Sequence, residues 1–160
     1  MKKRILIVIV CVISANLFSQ TYKLETVFTD NAAETYLSHW KVLERTNVNQ
    51  VDTFSLWGYQ RYSNDLGNST YEVEYYKGNA KETYLFLNQI IGFTEKNKDE
   101  DKVLTYISGV RVKTLKLFLI KTTLVYDKEN KVVCQFNLKQ WTEILAKFVS
   151  YCENQKITYK

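Results

Sequence analysis

Apolar residues recur along this chain with two different periods, and the changes of period mark where strands give way to helices. The clearest helical stretch lies near the C-terminus. Trp141, Ile144, Leu145, Phe148 and Cys152 follow one another at helical spacing and share one face. Upstream, Lys131 to Leu138 alternates, with Val132, Cys134, Phe136 and Leu138 on one side of a pleat. Asp127-Lys128-Glu129-Asn130 reads as a turn in which Asn130 takes a left-handed conformation. Before it, Leu115 to Tyr126 is rich in β-branched and aromatic residues, with Phe118, Ile120, Leu124 and Tyr126 on one face. Ser108-Gly109 forms a tight turn after the strand Val103-Leu104-Thr105-Tyr106-Ile107. The stretch from Lys102 to Glu153 thus predicts four short strands and a helix.

The earlier chain is read the same way. Tyr22 to Thr29 alternates as a half-buried strand, with Tyr22, Leu24, Thr26 and Phe28 opposite Lys23, Glu25, Val27 and Thr29. Over Asp30 to Arg45 two patterns compete. Asn31-Ala32-Ala33-Glu34 has capping-box spacing, and Tyr36, Leu37, Trp40 and Leu43 would share a helix face. The same residues from Leu37 to Leu43 tolerate a strand; the helix is the expectation, by a narrow margin. Thr46 to Gln50 reads as a loop. Asp52 to Tyr62 alternates as a strand, with Phe54 and Leu56 opposite Trp57, and Gly58 inside it marks a bulge or a close approach. The turn cluster Ser63 to Ser69 joins it to a strand over Thr70 to Lys77. There Tyr71, Val73 and Tyr75 oppose Glu72, Glu74 and Tyr76.

Asn79-Ala80-Lys81-Glu82 is a second capping-box pattern, with a helix after it. Its apolar stripe centres on Tyr84, Leu87 and Ile91, flanked by Leu85, Phe86, Ile90 and Phe93. Gly92 costs about 1 kcal/mol there and is expected to bend or end the helix. Lys156 to Lys160 is expected to be a short edge strand. From Thr70 the order is strand, helix, four strands, helix. The predicted fold is α+β, an antiparallel sheet with two main helices packed on one face, as a single domain over residues 21–160.

Composition changes this picture at the N-terminus. The chain of 160 residues contains no proline, so no Pro-rich linker divides it. Met1-Lys2-Lys3-Arg4 is basic, Ile5 to Ile13 is an uninterrupted apolar run, and Ser14 to Gln20 turns polar. That layout is a secretory signal peptide, with cleavage expected after Ser19 or Gln20. The apolar run is far shorter than the ~20 residues a membrane span needs. Cys11 follows Val10 inside that run, which disfavours a lipid-bearing cysteine. The chain is therefore expected to be periplasmic or extracellular, with no transmembrane segment after cleavage. Taking the three basic residues of the leader from a net charge of +5 leaves +2. So weak a positive charge argues against nucleic acid.

Candidate chemistry is sparse. Cys134 and Cys152 are a candidate disulfide for an exported chain. If the helix folds directly back over its strand, their positions are offset by about 10 Å, beyond the ~7 Å limit for a bridge. Two buried thiols are the favoured alternative. His39 is the only histidine, and no cysteine pair has short ligand spacing, so neither a metal nor a cofactor is expected. Asp99-Glu100-Asp101 lacks the glycine and spacing of a calcium loop. His39 with either cysteine makes a weak nucleophile pair. Glu72 and Glu74 lie on one strand face, about 7 Å apart, within the range of a glycosidase pair; same-face acids on a strand are usually its solvated side. Asn68-Ser69-Thr70 matches a glycosylation sequon, which matters only in a eukaryotic secretory host.

The unusual feature is aromatic content, with 12 tyrosines, 8 phenylalanines and 3 tryptophans. Trp57, Tyr59, Tyr62 and Tyr76 concentrate on the expected hairpin as a ligand or partner surface. The competing reading is that such residues simply fill cross-strand pairs. The functional expectation is an exported, non-enzymatic interaction protein whose partner is a protein or, alternatively, a small ligand or glycan. A hydrolase using Glu72 and Glu74 is a remote third.

Overall fold

The structure, a computed structural model, describes residues 22–30, 40–64, 67–117 and 120–160. The leader, Cys11, His39 and the capping-box pattern at Asn31 lie outside the described residues. The fold is α+β, with antiparallel strands and two main helices, as the pattern predicts. Its strands divide into two four-stranded sheets. Strands β1 (Tyr22–Asp30), β2 (Trp40–Val48), β3 (Val51–Asn64) and β4 (Gly67–Gly78) form the first, in sequence order. Helix α1 (Ala80–Lys96) follows. Strands β5 (Leu104–Ile107), β6 (Val110–Leu117), β7 (Ile120–Tyr126) and β8 (Val132–Phe136) form the second, and helix α2 (Leu138–Asn154) follows it. The chain therefore runs twice through one plan, a four-strand meander closed by a helix.

Both helices start the same way. Asn79 caps α1 with a reciprocal bond pair to Glu82, and Asn137 caps α2 with the same pair to Gln140. In each case the Asn oxygen accepts from the third residue's N–H, while that residue's side chain accepts from the Asn N–H. The α1 box is legible in the sequence. Gln140 in place of Glu makes the α2 box less conspicuous.

The helices do not sit each on its own sheet. Helix α1 contacts β3 and β4 of the first sheet and β5 of the second. Helix α2 contacts β7 and β8 but also β1 and β2. The two helices pack on each other, and one core joins everything. Leu43, Phe54 and Leu56 enter it from the first sheet, Val112, Val125 and Val133 from the second, and Phe86, Leu87, Ile90, Trp141, Ile144 and Phe148 from the helices. The sheets also touch directly where β3 meets β8. There Gly58 lets the strands approach, because a β-carbon on it would stand 2.2 Å from the Val133 carbonyl oxygen. Nearby, buried Gln60 accepts from the Tyr71 hydroxyl and donates to Asp127, tying the first hairpin to the β7–β8 turn.

Several expectations change. Residues 40–48, read as helix and then loop, form strand β2, paired to both neighbours. Its two-residue turn, Asn49-Gln50, has both residues left-handed (φ 51° and 67°), which suits a tight hairpin. The four strands expected after Lys102 are present, and Leu115 to Tyr126 spans parts of two of them, with Leu117 paired to Ile120 across a hairpin; Phe118 lies outside the described residues. The buried line of α1 is Thr83, Phe86, Leu87, Ile90 and Thr94, about one position round from the expected stripe, and Leu85 is exposed. Gly92 does not end the helix, which runs on to Lys96. Residues 156–160 are not a strand. Tyr159 tucks against Tyr84 and Phe148 instead.

Candidate functional site

Bulges decide which side chains reach each face of the first sheet. Register shifts at Val27 in β1 and Val42 in β2 turn Phe28 inward and Lys41 outward. A third, at Tyr75 in β4, pairs Leu56 with Tyr76 but Trp57 with Glu74. Tyr76 and Glu74 therefore lie on opposite faces, although they are two residues apart. Strict alternation put them on the same face.

The outer face is continuous and carries no helix among the described residues. Tyr22 and Leu24 of β1 stand beside Glu44, Thr46 and Val48 of β2, then Val51, Thr53, Ser55 and Trp57 of β3, then Glu74 and Lys77 of β4. Together with Lys41 they line an open depression of about 550 Å³. Its rim is apolar. Tyr22, Leu24 and Val51 are 63%, 51% and 63% exposed. Its floor is polar and held in place. The Lys41 amine lies 3.0 Å from Glu44 Oε1, 3.4 Å from Glu72 Oε2 and 3.8 Å from the centre of the Trp57 ring. Glu44 is buried although it points away from the core. Burial alone would lower the Lys41 pKa, but the bonds and charges of Glu44 and Glu72 outweigh it and raise it. The Trp57 Nε1 is buried with no hydrogen-bond partner among the described residues.

The aromatic residues singled out from the sequence separate. Trp57 is half-buried in the depression, and Tyr59 is exposed beyond it on the same face, opposite Glu72. Tyr62 lies on β3, and its side chain is outside the described ones. Tyr76 is not a surface residue. It is buried and stacks on Phe86 at 4.1 Å. Glu72 is engaged by Lys41, and it shares an open strand face with Glu74 beside Tyr59 and Trp57. They do not oppose each other across a cleft.

Cys134 and Cys152 are both buried free thiols, so the candidate disulfide is not formed. Burial pushes both thiols up, Cys152 to about 12 and Cys134 further. The Cys134 sulfur lies against Tyr75, whose hydroxyl is buried and also raised by burial. A thiol so hard to ionise is a poor nucleophile and a poor metal ligand. Among the described residues, no group of three or more His, Cys, Asp or Glu side chains could hold a metal.

Sequence reasoning missed Lys41, Glu44, Thr46 and Val48, because they fall in the stretch read as helix and loop. The stretch offers no alternation to reveal them, because Glu44, Arg45, Thr46 and Asn47 between Leu43 and Val48 are all polar.

A second cavity, about 480 Å³, lies between the end of α1, strands β6 and β7, and the start of α2. Its lining includes Thr94, Thr114, Thr122, Thr123 and three lysines. No helix among the described residues is long and apolar enough to cross a membrane. Comparison of the chain with family models, curated proteins and solved structures gives no match.

Proposed function

We propose that this is an exported, non-enzymatic interaction protein of the cell envelope or extracellular space, and that it binds its partner through the outer face of the first sheet. The observation that carries this reading is the depression there. Three large apolar side chains stand more than half exposed around a floor fixed by the Lys41–Glu44 pair. Clustered apolar exposure of this kind marks an interaction surface more often than chance exposure does. The hydrogen-bonded ladders on either side make the floor rigid, so little conformational entropy is lost on binding. Trp57 and Tyr59 add the residue types enriched at binding hot spots. The basic, apolar, then polar leader supports export. The raised thiols argue against cysteine catalysis, and the open setting of Glu72 and Glu74 gives no enclosed substrate position.

The second reading is a small-ligand binder. The 480 Å³ cavity favours it, and its threonine and lysine lining suits a polar ligand.

The test is native mass spectrometry of the protein purified from the envelope and extracellular fractions of its host. Wild type is compared with Trp57→Ala and Val51→Glu. A companion protein present in wild type and lost from both variants supports the proposal. A companion that both variants retain, or a bare chain in every fraction, defeats it. A small extra mass lost on denaturation directs attention to the second cavity.

A further inference from the structure

We propose that the first half of β1, Tyr22 to Thr26, is where two copies of this chain join, antiparallel, about a two-fold axis through Leu24. The contact shares Tyr22 and Leu24 with the rim of the outer-face depression, and its test reads self-association rather than binding of another partner.

An edge strand offers unpaired backbone donors and acceptors to any strand that can lie beside it. The described sheets have four edges, and three are guarded. Strand β4 is bulged at Tyr75 and, unlike β1 with its opposite charges Lys23 and Glu25, presents two like charges, Glu72 and Glu74, on one face. Strand β5 is only four residues long. Strand β8 has five residues, is irregular near Val133 and lies against β3. Strand β1 has nine residues, and Tyr22 to Thr26 pair with β2 without a break before the bulge at Val27. Five residues are about the usual length of a paired strand.

The side chains then select the register. In a two-fold antiparallel pair, residues opposite each other share a face, so outer residues must meet outer residues. Centring on Lys23 places lysine against lysine. Centring on Glu25 places glutamate against glutamate. Centring on Leu24 places Lys23 opposite Glu25 of the second copy, twice, with Leu24 on Leu24 and Tyr22 on Thr26. This is the register with charge complementarity. Glu25 is prepared for it. Its Oε2 is held by Arg45, at 3.1 Å, and by the Tyr151 hydroxyl, while Oε1 faces Lys23. Lys23 is exposed and can exchange its own carboxylate for its neighbour's. The apolar side chains of Tyr22 and Leu24 become covered by their counterparts, and two first sheets merge into one of eight strands.

The test is a register-specific disulfide trap in the full chain expressed in its host. Opposed residues of an antiparallel pair lie about 4.5–5.5 Å apart at Cα, within reach of a disulfide. The native thiols among the described residues, Cys134 and Cys152, are buried and stay silent, and Cys11 is replaced by serine throughout. Under mild oxidation Leu24→Cys is expected to give a covalent dimer at least ~tenfold faster than Lys128→Cys, an exposed control on the β7–β8 turn. Tyr22→Cys mixed with Thr26→Cys should cross-link, and neither alone should. In sedimentation, Lys23→Glu should weaken self-association by about tenfold while its circular dichroism at 25 °C stays that of the folded wild type. Equal rates for Leu24→Cys and Lys128→Cys would overturn the proposal, as would self-association unchanged by Lys23→Glu. So would a wild-type protein that remains monomeric up to about 1 mM.

Discussion

Gly58 on β3 lies against the carbonyl of Val133 on β8, so close that a single added methyl would overlap it at 2.2 Å. This contact lies where the two sheets meet directly. The atom it meets belongs to the backbone, so a side-chain rotation cannot relieve the overlap. Gly58→Ala is therefore expected to cost at least ~3 kcal/mol, the upper part of the range for overpacking. Gly92→Ala is its counterpart, since nothing lies within 4 Å of that position and it sits in a helix. It should stabilise by up to about 1 kcal/mol. Urea unfolding of the two variants checks both signs.

Acid should release α2 from β1. Bonds from Lys23, then Tyr151 and Arg45, hold Glu25 at about 2, against 4.5 for a free glutamate. A carboxyl lowered on folding contributes stability that is complete above its unfolded pKa and disappears as pH falls through its folded one. The loss therefore falls between about pH 4.5 and pH 2. Glu25 is partly exposed, so the effect is discounted to roughly 1 kcal/mol. Glu25→Gln should be less stable at pH 7, and the gap from wild type should close as the pH falls to 2. A gap that stays constant across that window would refute the account.

Thiol reactivity should report opening rather than surface chemistry. Cys134 and Cys152 are buried and raised, so each is almost wholly protonated at pH 8. A disulfide reagent should label neither in the folded protein within the time that labels a free thiol completely. Labelling should accelerate with urea in step with unfolding. Rapid labelling of either thiol in the native protein would contradict its burial.

The two capping boxes should carry similar weight. Asn79→Ala and Asn137→Ala each remove a side-chain acceptor from the first turn of a helix. Each is expected to cost about 1 kcal/mol, and Asn→Gly at either position only a few tenths. The caps lie at different helices and share no hydrogen-bond partner, so the double variant should lose close to the sum.

The sequence carries some of this and hides the rest for specific reasons. The face of α2 was legible because Trp141, Ile144, Phe148 and Cys152 keep an unbroken helical period, and all four are buried. The α1 cap was legible because Asn79 and Glu82 lie three apart. Asn130 and the Ser108-Gly109 turn take the left-handed conformations their composition suggests. What failed was alternation across bulges. Phe28, Tyr76 and Val133 each lie at or beyond an extra residue, and one extra residue exchanges the faces of everything that follows. No local signal in Val27, Val42 or Tyr75 announces this. Strand β2 was hidden differently, since Leu43 fits a helix face as readily as a strand. Half of the depression was lost with it.

The plan in which each helix also rests on the other half of the chain has a consequence for how the protein comes into being. Tyr151 of α2 closes on Glu25 of β1 across 126 residues. The inner face of β1 and β2 therefore has no α2 over it until almost the whole chain has been synthesised. The native core cannot be completed segment by segment from the N-terminus. It closes in one late step, when the last helix returns to the first strand. A chain whose core closes last leaves that sheet face open through most of its synthesis, which would suit the export proposed above.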